Sequence, residues 1–179
     1  MAETANPQPI ACPPQATVAT GSSLVIEPLM PSTAGLSGFI DTIAHWHHEH
    51  CLARGLRSSL DRRAEQLHRH LTREAIPVTL IARKGAEVLG SVSLVRYQAS
   101  AGGAQRLWLS NLYVPEALRG QGLGSVLVDK ACRYAHEQGE TELWLFTDNQ
   151  QDFYQKRGWQ PGGEARVSQS DVDIFVRRL

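Results

Sequence analysis

Apolar and polar positions along this chain follow two rhythms, and each predicts an element where it holds. Leu24-Val25-Ile26-Glu27-Pro28-Leu29 is a short apolar run cut by Pro28, suited to a first strand at a sheet edge. Leu36, Phe39, Ile40, Ile43 and Trp46 recur at three- and four-residue steps. That stripe predicts a helix beginning near Ser32 or Thr33, either a fitting N-cap, and ending between Cys51 and Arg54, before Gly55. A second helix opens at Ser58-Ser59-Leu60-Asp61, with Leu60, Ala64, Leu67 and Leu71 as its core face and Pro77 beyond its end. Residues 78–82 and 88–95 then bracket Arg83-Lys84-Gly85-Ala86. This reads as an antiparallel hairpin with Gly85 supplying positive φ in the turn.

After a loop over 99–104, the stretch 107–114 is a strand and Arg119-Gly120-Gln121-Gly122-Leu123-Gly124 a glycine loop. Val126, Leu127, Lys130, Ala131, Tyr134 and Ala135 then keep helical period until Gly139. Residues 142–147 form a further strand, 150–157 a short helix stopped at Gly158, and a hairpin around 166–168 and 172–177 closes the chain. The order predicts an α/β fold: a mixed, mostly antiparallel central sheet with helices on both faces. Its one parallel βαβ unit spans residues 107–147, and a ligand is expected at the carboxyl ends of those two strands, where the glycine loop lies.

The chain has 179 residues, one domain's worth; residues 21–179 read as that domain and 1–20 as a Pro-rich disordered tail. No run approaches the ~18 apolar residues of a membrane helix. Eighteen basic residues balance eighteen acidic ones, so no global field draws the protein to nucleic acid or an acidic membrane. The cysteines, Cys12, Cys51 and Cys132, are an odd set without C-x-x-C, which excludes a disulfide framework and a cysteine-built zinc site. With no secretory signal at the N-terminus, a cytoplasmic protein is expected.

Glycines 120, 122 and 124 leave the main chain bare ahead of a helix whose first amides have no internal partners. Such a loop binds anions, and the helix dipole, Arg119 and Ser125 add to the attraction, so a phosphate or pyrophosphate is the natural guest. A nucleotide P-loop needs Gly-Lys-Ser/Thr, but Ser125 follows Gly124 directly. A dinucleotide fingerprint needs G-x-G-x-x-G, and here the spacing is G-x-G-x-G.

The run Leu112-Tyr113-Val114-Pro115-Glu116-Ala117-Leu118-Arg119-Gly120-Gln121-Gly122-Leu123-Gly124-Ser125 resembles the acetyl-CoA-binding motif of the GNAT superfamily of N-acetyltransferases. Phe153-Tyr154-Gln155-Lys156-Arg157-Gly158-Trp159 is similar to a second segment of that family. The resemblance implies an enzyme moving an acetyl group from acetyl-CoA to a primary amine by direct attack, without a metal. It implies that the diphosphate meets the amides of Gln121, Gly122, Leu123, Gly124 and Ser125, behind Arg119 and Gly120, and that the pantetheine arm pairs with Leu112, Tyr113 and Val114 like an added strand. Asn149 is a further cofactor contact in this reading; it stands five residues before Tyr154, where many members have an Asn seven before. Tyr154 is the catalytic candidate, a phenol that donates a proton to the leaving thiolate. In the family the segment after the first strand lines the acceptor site, so Trp46, His47 and Glu49 are candidate acceptor contacts.

The general base is open, with His47, Glu49, Glu116 and Asp148 qualifying by residue type. The acceptor is a small-molecule amine or a peptide N-terminus. Arg54, Arg57, Arg62 and Arg63 read as a solvated face, or favour an acidic acceptor if they line the cleft. The histidines and cysteine of His45-Trp46-His47-His48-Glu49-His50-Cys51 lack H-E-x-x-H order and read as a helix face rather than a metal site. Two other readings remain: a non-catalytic acyl-CoA-binding module, and a toxin-type acetyltransferase of aminoacyl-tRNA, which the neutral charge disfavours. A homodimer stays open.

Overall fold

The computed structural model describes residues 23–98, 103–167 and 170–179. The tail expected over 1–20 and most of the loop over 99–104 lie outside the described residues. The elements are β1 (Leu24–Pro28), α1 (Leu36–Ala53), α2 (Leu60–Arg69), β2 (Val78–Lys84), β3 (Glu87–Tyr97), β4 (Arg106–Tyr113), α3 (Leu123–Glu137), β5 (Glu142–Thr147), α4 (Gln151–Gln155), β6 (Gln160–Val167) and β7 (Ser170–Arg178). The strands form one seven-stranded sheet in the order β1-β2-β3-β4-β5-β7-β6. Its neighbours are antiparallel except β4 and β5, the pair joined through α3. The mixed sheet expected from the order of elements is the one observed.

Two apolar layers hold the sheet. On one face Leu127, Val128, Ala131 and Ala135 of α3 and Tyr154 of α4 pack on Leu80, Val92, Leu94, Leu107, Leu109, Leu143 and Leu145. On the other, Phe39, Ile40, Ile43 and Ala44 of α1 and Leu67 of α2 pack on Ile81 and Val88. The α1 stripe is largely the one read from the sequence, whereas in α3 Val126, expected in the period, is exposed and Val128 is buried in its place. Burying each large apolar side chain stabilises the fold by about 1.5–3 kcal/mol.

Several boundaries differ from expectation, among them that of β2, which takes in Arg83 and Lys84 of the expected turn. Helix α1 is capped by Gly35 at φ 82, without a side-chain cap, rather than by Ser32 or Thr33. Thr33 is used one step earlier, where its hydroxyl accepts from the Met30 amide at 2.9 Å and closes a turn. Strand β6 begins at Gln160 and so runs through Pro161-Gly162-Gly163, a stretch with the composition of a turn. It is an edge strand, where a missing amide costs little, and its register shifts between Pro161 and Gly163.

Candidate active site

The site forms where β4 and β5 part. The two strands pair at Trp108 and Trp144, and the ladder extends no further along β4. Beyond it Asn111 adopts φ 52, a left-handed backbone that Asn tolerates better than most side chains. The β3–β4 register shows the consequence: Ser93 pairs with Ser110 and Ser91 with Tyr113, so one β3 residue, Val92, faces both Asn111 and Leu112. This is a bulge, and one added residue exchanges the faces of everything after it. Leu112 thereby packs against the α3-side core, and Tyr113 turns to α1, where Trp46 stacks on it with ring centroids 5.3 Å apart. Gly90 in β3 makes room: a Cβ there would stand 3.0 Å from the Tyr113 carbonyl and 3.0 Å from Leu127.

The glycine loop follows a short 3-10 turn, Glu116–Leu118. Gly120 and Gly122 have φ 75 and 84, and a Cβ on either would meet no atom within 4 Å. The space above the loop is therefore free. Gly122 caps α3, and the first amide of its opening turn to find a backbone acceptor is Val126, which donates to Gly122 at 3.1 Å. Among the described residues the N–H groups of Gln121, Gly122, Leu123, Gly124 and Ser125 have no acceptor in the protein. Five unclaimed donors at a helix N-terminus make a seat for an anion.

Gly124 serves packing as well. A Cβ there would lie 3.7 Å from the Phe153 ring and 3.9 Å from Val114, which brings α4, α3 and the end of β4 together. Arg157 closes the same corner. Its guanidinium lies 3.8 Å above the Phe153 ring and donates to the Phe153 carbonyl at 2.6 Å and to the Ser125 hydroxyl. Beside it Tyr154 is buried edge-on between Phe153 and Trp159, at centroid distances of 5.0 and 5.8 Å. Burial pushes its phenol up to about 12, with the Arg157 charge pulling the other way.

A sequence model of the acetyltransferase (GNAT) family matches residues 40–159. The chain belongs to the GNAT acetyltransferase family. It is 34% identical over 92 residues to N-acetyltransferase family 8 member 2 of Rattus norvegicus, a match that takes in 49% of this chain and 41% of that protein. The chain thus spans about two-fifths of the length of the curated relatives it matches. In fold it is similar to an aminoglycoside 6'-N-acetyltransferase complexed with coenzyme A, with a TM-score of 0.66 at 14% identity over 86% of this chain and 96% of that one. It is also similar to yncA of Salmonella typhimurium, in a structure with its cofactor acetyl-CoA, with a TM-score of 0.67 at 14% identity over 87% of this chain and 94% of that one.

Against this GNAT frame the residues singled out in the sequence divide. Leu112, Val114, Leu123 and Phe153 pack on the core that buries Tyr154, and Gly124 of the loop approaches both Val114 and Phe153. Arg119 turns back, donating from Nε to the Val114 carbonyl at 2.9 Å, and Gln121 donates to the Ala117 carbonyl at 3.2 Å. Asn149 is exposed after β5 and accepts from its neighbour Gln150 at 3.3 Å. Trp46 covers Tyr113, Glu49 is exposed, and His47 is buried, its Nε2 3.4 Å from the Ser91 hydroxyl. Of the remaining base candidates Glu116 is exposed, and Asp148 is ion-paired with Arg54. Sequence reading missed three residues: Gly90, Asn111 and Arg157. An isolated glycine inside a strand does signal close backbone approach; nothing local marks the other two.

Two clefts are lined by charged residues. One, of about 510 Å³, lies between the end of β5 and the β6–β7 hairpin and is lined by Asp148, Glu164, Asp171 and Asp173. The other, of about 360 Å³, lies at the start of α2 and collects Arg57, Arg62 and Arg63 with Ser58 and Ser59. Among the described residues no helix is long and apolar enough to cross a membrane.

Proposed function

We propose that this protein is an acetyl-CoA-dependent N-acetyltransferase that passes the acetyl group directly to an amine. The observation that carries this reading is the row of unclaimed amides from Gln121 to Ser125, set beside the edge of β4 that β5 leaves unpaired past Trp108. A diphosphate satisfies the loop amides, and an extended pantetheine arm satisfies the main chain of Leu112, Tyr113 and Val114. An N–H of that edge is then available to polarise the thioester carbonyl. Tyr154 stays protonated at neutral pH because burial disfavours its phenolate, so it is a donor to the departing sulfur.

The acceptor must arrive as a neutral amine but is recognised largely by its other groups. The carboxylates around Asp148 lie at the carboxyl end of β5, where the strands have parted, and favour a cationic amine; the arginine cleft lies instead at the start of α2. Thiol release from acetyl-CoA over a panel of polyamines, aminoglycosides, amino acids and short peptides tests the proposal. Release is expected with a polycationic amine and not with an acidic amino acid. Acetyl-CoA binding without release on any amine would return the chain to a binding module.

A further inference from the structure

The side of α1 that faces the sheet carries Phe39, Ile40, Ile43 and Ala44, and the next inward position is not apolar but His47, which is 6% exposed. Its ring stands where the β4 bulge meets β3. Nε2 lies 3.4 Å from the Ser91 hydroxyl of β3, and the ring meets Tyr113 of β4 edge-on at 6.4 Å. Ser91 and Tyr113 are register partners just past the bulge, and Asn111 is within it. One side chain therefore touches both strands at the position where β4 gains its extra residue.

We propose that His47 is the positioning residue that holds the β4 bulge, and with it the strand edge that receives the pantetheine arm. A neutral imidazole has one donor and one acceptor. It can give its N–H to the Asn111 carbonyl while its other nitrogen accepts from Ser91. Burial keeps it in that neutral form, and the fixed charge of Arg63 works in the same direction. An aliphatic residue would fill the space as well and satisfy neither strand. Without the pin, β4 can slip by one residue, which exchanges the faces of Leu112 and Tyr113 and moves the Leu112 to Val114 edge. The loop amides stand at the N-terminus of α3 rather than on β4, so the contact reaches them only through Arg119 and Gly124 at Val114.

This inference rests on the acetyl-CoA reading, and calorimetry with two probes separates their failures. Acetyl-CoA uses both strand edge and loop, whereas 3'-phospho-ADP, its nucleotide half, uses the loop alone. Wild-type protein is expected to bind both; no binding of acetyl-CoA overturns the acetyl-CoA reading and this inference with it. In His47→Leu, acetyl-CoA is expected to bind about 10-fold more weakly, with 3'-phospho-ADP within about two-fold of wild type. His47→Gln, which keeps a donor and an acceptor, is expected to recover most of the loss. Ser91→Ala, a smaller change that tests the same contact should His47→Leu not fold, is expected to shift the acetyl-CoA affinity alone and by less. Equal shifts for both probes, or no shift in either variant, would overturn the role assigned to His47.

Discussion

Arg157, just past α4, donates to the hydroxyl of Ser125 in the first turn of α3, across 32 positions of sequence. The contact sets a fixed positive charge beside the five unclaimed amides, held flat by the Phe153 ring. Arg157→Ala is expected to weaken acetyl-CoA binding about 10-fold in a calorimetric titration, as for loss of a charge near a helix N-terminal anion site. Arg157→Lys keeps the charge but neither the planar stack nor the fork, so partial recovery is expected. Wild-type affinity in the alanine variant would remove Arg157 from the site.

Tyr154→Phe removes one hydroxyl and leaves the ring packed between Phe153 and Trp159. If the phenol protonates the leaving sulfur, kcat falls about 100-fold with little change in the KM for acetyl-CoA. The comparison is made by thiol release with the best acceptor. An unchanged kcat would reduce Tyr154 to a core residue.

Burial of His47 makes stability depend on pH. The ring is held down to about 4, by desolvation first and then by the charges of Arg63, His50 and His70. In the unfolded chain a histidine takes its proton near 6.5. The folded state therefore binds fewer protons between those values. The stability this residue contributes is present above pH 6.5 and is lost as the pH falls toward 4, by about 3 kcal/mol at most. His70, also lowered by burial, acts with the same sign. Thermal melts of wild type and His47→Gln across this range test the assignment: the wild-type curve is expected to fall more steeply. Parallel curves would contradict it.

Most of this architecture can be read from the chain because its signals are local. The β4–α3–β5 unit shows as a strand, a glycine loop and a helical period, and β5 is observed over the residues expected, Glu142–Thr147. What the sequence hides is set between elements. The Asn111 bulge has no signature of its own, because its left-handed turn is settled by the pairing of β3 with β4 and by His47 beneath it. Pro161-Gly162-Gly163 has turn composition yet lies in a strand, since only the order of the sheet shows β6 to be an edge. Arg157 sits in a charged run whose function comes from the packing of α4 on α3. Likewise the histidines of α1 look alike in sequence, but burial separates His47 from the exposed His45 and His50.

The account turns on the loop between Arg119 and α3, and a calorimetric titration of acetyl-CoA into wild type and Gly122→Asp tests it most directly. The substitution forces a side chain into a φ of 84 and sets a carboxylate in the open space above the loop. Saturable binding to wild type is predicted, with affinity at least about 100-fold weaker in the variant, since strain and like-charge repulsion both fall on the anion seat. No binding by the wild-type protein, or the same affinity in both, would contradict the account.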